Sequence, residues 1–397
     1  MCSSDLVRRA ASGAANGMRL LAGIGGALLL AIVLWDAFET IILPRRVNRR
    51  LRLTRAFYRA TWIPWAASAG LVRAGNRREV FLSFYGPLSL VLLLALWAAG
   101  LVTGFGLLQY ANGSAMHAAG NETVGFTTDL YLSGTTFFTL GLGDVAPQGS
   151  FARLLTVIES GLGFGFLAIV IGYFPVIYQA FSRREVTISL LDARAGSPPS
   201  AAELLRRHGG GDEGAAALQQ LLHEWERWSA ELLETHLSYP LLAYFRSQHS
   251  NQSWLAALTT VLDASALVMV AAEGACARQA GLTFAMARHA VVDLAQVFRT
   301  RPRPPPEDRL PAPVLAKLTA DLAAAGCPLL AGAAAEGRLA ELRGTYEPYA
   351  AALSSYLLQP LPPWHQEKPR RDNWQSSAWD RTLLARITAG REGSGKG

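Results

Sequence analysis

An all-α membrane protein is expected from this 397-residue chain on three grounds. Hydrophobic residues make up 51% of it and charged residues 17%, and the charges are segregated. None falls between Val80 and Met116, whereas ten Arg fall between Arg45 and Arg78. Three apolar segments, Leu20 to Leu43, Val80 to Leu108 and Leu154 to Phe181, each supply the roughly 20 residues that a bilayer crossing needs. Beyond Val186 the chain is rich in Ala, Leu, Glu and Arg with few β-branched runs, which favours helix.

The first apolar segment reads as a span and not as a signal peptide, because Trp35, Asp36 and Phe38 follow it in place of a small-residue cleavage site. Gly23, Gly25 and Gly26 inside it are read as helix-packing positions. Asp36 and Glu39 fall three apart on one helical face; pairing with Arg45, Arg46 or the Arg183 cluster is expected, with a cation or proton sensor as the alternative. The segment from Phe57 to Val72 contains Trp62, Pro64 and Trp65 but is interrupted by Arg59, so it reads as an interfacial helix and not as a further span. The loop with ten Arg is placed in the cytoplasm and the segment Ala111 to Ser150, which holds no Lys or Arg, outside. The N-terminus then lies outside, and Arg183 and Arg184 lie inside.

Between the second and third spans stands Thr139, Leu140, Gly141, Leu142, Gly143, Asp144, preceded by a segment from Asp129 to Phe138 that can form one short helix. A dehydrated potassium ion must be held by backbone carbonyls that replace its water shell. Successive carbonyls can be aimed one way only with unusual dihedrals. Gly141 and Gly143 supply left-handed conformations that a residue with a Cβ resists, and Thr139 can add a hydroxyl oxygen at the inner end. A G-x-G string alone is common; the flanking helix and the long apolar segment give this one its force.

With these residues, Asp129 to Phe181 resembles the pore helix, filter and inner helix of the two-transmembrane, pore-loop, bacterial-type potassium channel superfamily. The resemblance implies an outer helix, a pore helix with a filter loop and an inner helix; the apolar segment at Leu20 to Leu43 adds an extra N-terminal transmembrane helix, and the composition beyond Val186 a C-terminal cytoplasmic helical domain. It implies a filter at Thr139 to Gly143 with K+ held at Thr139, Leu140, Gly141 and Leu142, and Asp144 at the outer mouth. It also implies aromatic bracing by Phe137 and Phe138, and no cofactor beyond the permeant ion. The bilayer implied is the bacterial inner membrane. No internal repeat is evident, so four copies are needed to surround an ion, and a homotetramer follows. Three departures stand out: Leu142 replaces the usual Tyr and so lacks its hydroxyl, Leu140 replaces Val, and Phe138 stands where a second Thr is frequent. Two alternatives stay open, a weakly selective cation channel and a membrane-anchored sensor or scaffold with a vestigial pore.

Glu159, in the outer half of the inner helix, is expected to support the filter; the alternative is an acid kept neutral between helices or bonded to a nearby Ser or Thr. Gly165, Gly172 and Pro175 form a candidate gating hinge, Pro175 deleting the hydrogen bond to Ile171. The alternative is static packing of Gly161, Gly163, Gly165 and Gly172, with Gly100 and Gly104 as a matching small-residue face. There is no Arg-every-third helix, so voltage sensing is disfavoured. His117 is a lone external histidine.

The chain divides into residues 1–79 (first span and basic interfacial segment), 80–185 (pore), 186–300 (cytoplasmic helical domain) and 301–397 (Pro-rich linker, further helices and basic tail). Leu218, Leu221, Leu222, Trp225, Trp228 and Leu232 recur at helical spacing and should bury one face. Trp254 to Ala272 is apolar enough to be taken for a span but reads as a bundle helix between polar neighbours. Ala195 to Gly214 is one break, and Arg301 to Pro313, with six Pro, reads as a stiff linker. Trp364, Trp374 and Trp379 pack on the bundle or touch membrane, and Gly393 to Gly397 reads as disordered. Several classes are disfavoured. No G-x-G-x-x-G follows a strand after residue 186, the His residues lack zinc spacing, and Cys2, Cys276 and Cys327 are scattered. The net charge of +7 is accounted for by orientation and anionic lipid, not nucleic acid. A non-enzyme is expected, and the ligand or partner of the cytoplasmic domain is left open.

Overall fold

A computed structural model describes residues 2–43, 52–118, 124–249, 251–327, 332–366 and 372–375. Arg45, Arg46, Trp379 and Gly393 to Gly397 lie outside them. The chain forms two units, one from Met1–Leu71 and Phe84–Tyr178, the other from Val72–Ser83 and Gln179–Gly397. Among the described residues, four helical stretches are long and apolar enough to cross a membrane: Asn16–Ile42, Asn76–Ala111, Ser150–Ala195 and Trp254–Ala271.

The first unit contains α1 (Cys2–Ala37), which runs on through a π-helical turn at Phe38–Ile42, then α2 (Leu53–Ala69). The segment α3 (Asn76–Ser83) belongs to the second unit and leads directly into α4 (Tyr85–Ala111) of the first. Next come β1 (Met116–Ala118), α5 (Phe126–Phe137), β2 (Val145–Pro147) and the membrane-length helix α6 (Ser150–Ala195). The two strands pair antiparallel with His117 opposite Ala146.

Helices α1 and α4 meet backbone to backbone. A Cβ built on Gly26 would lie 2.8 Å from the Gly104 carbonyl, and one on Gly100 would lie 2.9 Å from Val33 Cγ2. The small residues on α4 therefore admit α1 and do not form a face for the inner helix, which corrects the expectation for Gly100 and Gly104. A glycine marks a close approach without saying what approaches. Toward the other end of α1, Asp36 is buried and accepts from Trp97 Nε1 of α4 at 3.0 Å, from Thr54 Oγ1 at 2.5 Å and from the Thr54 amide at 3.1 Å. It thus caps α2 as an acceptor at a helix start should. Glu39 accepts from Trp35 Nε1 at 2.7 Å and lies 3.6 Å from Arg52 Nε. The expected partner is corrected for Asp36, which hydroxyl, indole and amide groups hold; Glu39 faces Arg52, and its expected partners Arg45 and Arg46 lie outside the described residues. Pro64 lies inside α2 without ending it, and Trp62 packs edge-on to Tyr85 at 4.8 Å.

In the second unit, α7 (Ala201–His208), α8 (Gly211–Ser238), α9 (Trp254–Ala271), α10 (Gly274–Val297), α11 (Ala312–Ala324), α12 (Ala333–Gly344) and α13 (Glu347–Leu357) form a helical bundle. The apolar stripe of α8 is buried from Leu218 to Leu232 as its spacing predicts. Helix α9 is the core of this bundle, with 83% of its apolar window buried inside the protein. Its Asp263 receives both Nη atoms of Arg309, at 3.3 and 2.6 Å, and the Tyr346 hydroxyl at 2.5 Å. Arg309 also bonds Glu347 at 2.8 Å. The Pro-rich stretch thus packs on the bundle through Arg309.

At the start of this unit's share of α6, Arg184 donates to Glu185 and to the carbonyls of Leu242 and Phe245 at 2.8 and 2.9 Å. Its Nη1 lies 3.3 Å from His236 Nε2. Nearby, Arg246 donates to the carbonyls of Leu357 and Leu358 at the end of α13 and faces Glu79 of α3 at 3.4 Å.

Candidate ion-conduction site

The site begins with α5. Gly125 enters it in an extended conformation, and Asp129 stands in its first turn, where a negative group complements the helix dipole. Asp129 is buried and accepts from Ser114 Oγ at 2.7 Å. The helix starts at Phe126, earlier than the sequence suggested, and ends at Phe137.

The chain then folds back on the helix it has just left. The amides of Leu140 and Gly141 both donate to Thr135 O, at 2.7 and 3.3 Å, and the Thr139 amide donates to Thr136 O at 3.0 Å. In a planar trans peptide the carbonyl points opposite to the N–H. The carbonyls of Thr139 and Leu140 therefore both face away from α5, on one side of the strand. That is possible because handedness alternates: φ is +57° at Thr139, +52° at Gly141 and +80° at Gly143, with Leu140 and Leu142 outside the positive region. A left-handed conformation costs a residue with a Cβ about 1–2 kcal/mol, so Thr139 holds local strain of the kind that gathers at functional sites. The space around Gly141 and Gly143 is open, so these glycines answer to backbone conformation and not to crowding.

Behind the loop, Phe137 is buried, edge-on to Phe138 at 5.2 Å and 5.6 Å from Phe166 of α6. Phe138 itself is exposed. A Cβ on Gly163 would fall inside the Phe137 carbonyl, so α6 meets the end of α5 with no room for a side chain. Glu159 is buried and hydrogen-bonded to Ser133 Oγ of α5, and Ser133 also reaches Val102 O of α4 at 2.7 Å. The partner of Glu159 is thus α5 and not an amide of the returning loop. At the other end of the loop, Tyr131 donates to Asp144 Oδ2 at 2.8 Å, and Asp144 Oδ1 accepts from the Val145 amide at 3.1 Å. Tyr131 was not singled out in the sequence; a hydroxyl missing from position 142 is supplied from α5 to the next residue but one. The signal was faint, a Tyr and an Asp separated by an irregular loop.

A Cβ at Gly165 or Gly172 would meet nothing within 4 Å, and α6 runs unbroken through Pro175. His117 is exposed on β1. Among the described residues, no group of three or more His, Cys, Asp or Glu could hold a metal ion.

A family model described as "Ion channel" matches residues 81–179, the stretch that holds α4, α5, the returning loop and the first part of α6. That segment is thus similar to two-transmembrane pore-loop ion channels. A relative from Bacillus subtilis (strain 168), named "Uncharacterized membrane protein YdjJ", is 31% identical over 112 residues, which is 28% of this chain and 33% of the relative. The match thus spans about a third of that relative's length. No solved structure matches. Helices α1 and α2 and the bundle from α7 onward lie outside the channel segment.

The bundle carries a cleft of about 540 Å³ lined by Glu203, Arg206, Arg207, Lys317, His365 and Asp372, among others. Most of its charges are already matched. Glu203 is held down to about 2 by hydrogen bonds from Arg206 and Arg207, against the opposing effect of burial. Arg207 reaches Asp372 at 2.7 Å, and His365 reaches Asp321 at the same distance.

Proposed function

We propose that the protein is a homotetrameric potassium-selective channel whose filter is the backbone from Thr139 to Gly143. The observation that carries this is the alternation of handedness at Thr139, Gly141 and Gly143 in a loop pinned to the end of α5. It turns neighbouring carbonyls the same way, as desolvating an ion demands. K+ is the substrate, held at Thr139, Leu140, Gly141 and Leu142, with Asp144 at the outer mouth. One chain supplies one such strand, so four copies close the ring. The exposed apolar side chains of Phe138, Leu140 and Leu142 are then the surfaces that neighbouring copies and the rest of the filter wall cover.

The Arg distribution sets the orientation: the loop between α1 and α4 and the bundle in the cytoplasm of a bacterial inner membrane, and the β1–β2 ribbon outside. The inner helix α6 gates the pore, with Gly165, Gly172 and Pro175 as the places where it bends. The bundle, as the continuation of α6, is the regulatory part.

The test is flux in liposomes carrying the purified protein. Wild type passes K+ well above Na+, and Gly141→Ala abolishes the flux, because Ala resists φ of +52°. Equal passage of K+ and Na+ would replace this reading with a weakly selective cation channel. Flux indifferent to Gly141 and Gly143 would leave a sensor or scaffold with a vestigial pore.

A further inference from the structure

The proton on one buried carboxyl of the pore unit can be located by counting donors. Glu159 is 1% exposed. Its Oε1 is hydrogen-bonded to Ser133 Oγ, which also lies 2.7 Å from Val102 O. A serine hydroxyl has one proton to give and two lone pairs to accept with, and a backbone carbonyl can only accept. The hydroxyl proton therefore goes to Val102 O. The remaining contact is a hydrogen bond only if the carboxyl supplies the proton. No Lys, Arg or His faces Glu159 among the described residues, and an unpaired carboxylate between helices in hydrocarbon is far costlier than a neutral acid with a partner.

We infer that Glu159 is a neutral carboxylic acid and a positioning residue, donating to Ser133 as Ser133 donates to Val102 O. The chain of hydrogen bonds runs from α6 through α5 to α4. Ser133 stands two residues before Thr135, whose carbonyl receives the amides of Leu140 and Gly141. Fixing Ser133 fixes the turn of α5 from which the filter hangs. This role rests on the proposed filter at residues 139–143. An ionised Glu159 would take the hydroxyl proton from Val102 O and set an uncompensated charge against the pore helix.

The full-length protein in lipid tests both parts. Infrared difference spectra between wild type and Glu159→Gln at neutral pH are expected to lose a protonated-carboxyl band. Ser133→Ala is expected to shift that band, since the acid loses its acceptor, and this measurement stands even if Glu159→Gln folds poorly. In flux, Glu159→Leu, which can neither donate nor accept, lowers the K+ to Na+ ratio roughly tenfold, the scale of one buried hydrogen bond lost. Glu159→Gln recovers it, because a carboxamide N–H donates in place of the acid. A wild-type spectrum with no band that Glu159→Gln removes overturns the inference. A band present in a protein that passes no K+ overturns the filter, and with it the positioning role, while the neutral acid stands.

Discussion

Asp36 and Asp263 are both carboxyl groups sealed inside helices, and the two units partner them in opposite ways. In the pore unit, Asp36 is met by an indole N–H, a hydroxyl and a backbone amide. In the bundle, Asp263 is met by both arms of Arg309 and by the Tyr346 hydroxyl. Burial works against the Arg309 charge, and the carboxylates of Asp263 and Glu347 outweigh it, holding the guanidinium above its usual range. The difference follows from what must be tied. Helices α1, α4 and α2 already meet through glycines and aromatic rings, and a neutral acceptor suffices. Asp263, Arg309 and Glu347 come from three distant stretches of chain, and a charge-assisted fork holds them in one register.

Removing Arg309 breaks the comparison on the bundle side most severely. Arg309→Met leaves the buried Asp263 without its cation and should cost about 3–5 kcal/mol, read as lost protection in hydrogen exchange across α9 and α13; Arg309→Met with Asp263→Leu should recover much of it. A second handle on the bundle is acid. His236 is fully enclosed, and burial first, then Arg184, depress it from 6.5 to about 3. Its Nδ1–H donates to Leu232 O, and its Nε2 accepts from Arg184. The unfolded chain takes up a proton below about 6.5 that the folded one refuses until about 3, so stability falls as pH falls through that window. Between pH 6.5 and 5, where ordinary carboxylates do not yet titrate, the loss should approach about 1.4 kcal/mol per pH unit. Bundle tryptophan fluorescence follows it, and His236→Gln should flatten the slope.

On the pore side the expected losses are smaller. Gly104→Leu drives a side chain into α1, where even a Cβ would lie 2.7 Å from Leu30. Overpacking of this kind costs about 1–3 kcal/mol, and cross-linking between Cys introduced in α1 and α4 should weaken accordingly. Asp36→Asn is the mildest. A carboxamide oxygen still accepts from Trp97 and Thr54, so the loss of stability, read from thermal unfolding in detergent, should stay below about 1.5 kcal/mol. A large loss there would show that the pore unit needs the charge after all and would erase the contrast with Asp263.

The spans and the returning loop were legible in the sequence because both depend on composition over many residues or on glycine at two fixed places. The α8 stripe and the packing of α9 were legible for the same reason. What escaped were partners. Gly100 and Gly104 announced close packing but not that α1 would be the neighbour. Glu159 announced a buried acid, yet Ser133 could be named only once α5 had a fixed rotation against α6. Arg309 sat in a stretch whose prolines suggested a spacer, and Asp263 was the hint that a cation had to arrive from somewhere. The strands Met116–Ala118 and Val145–Pro147 are too short to show alternation.

The contact between Arg246 and Glu79 bridges 167 residues of chain. Segment α3 emerges from the ribosome before the helices that follow it, yet Arg246 is made only after the whole of α6, and the carbonyls that hold its guanidinium arrive only at the end of α13. During synthesis the membrane helices therefore insert before Glu79 of α3 has met Arg246. Nascent chains halted after α6 should leave α3 open to protease, and chains completed through Leu358 should close it.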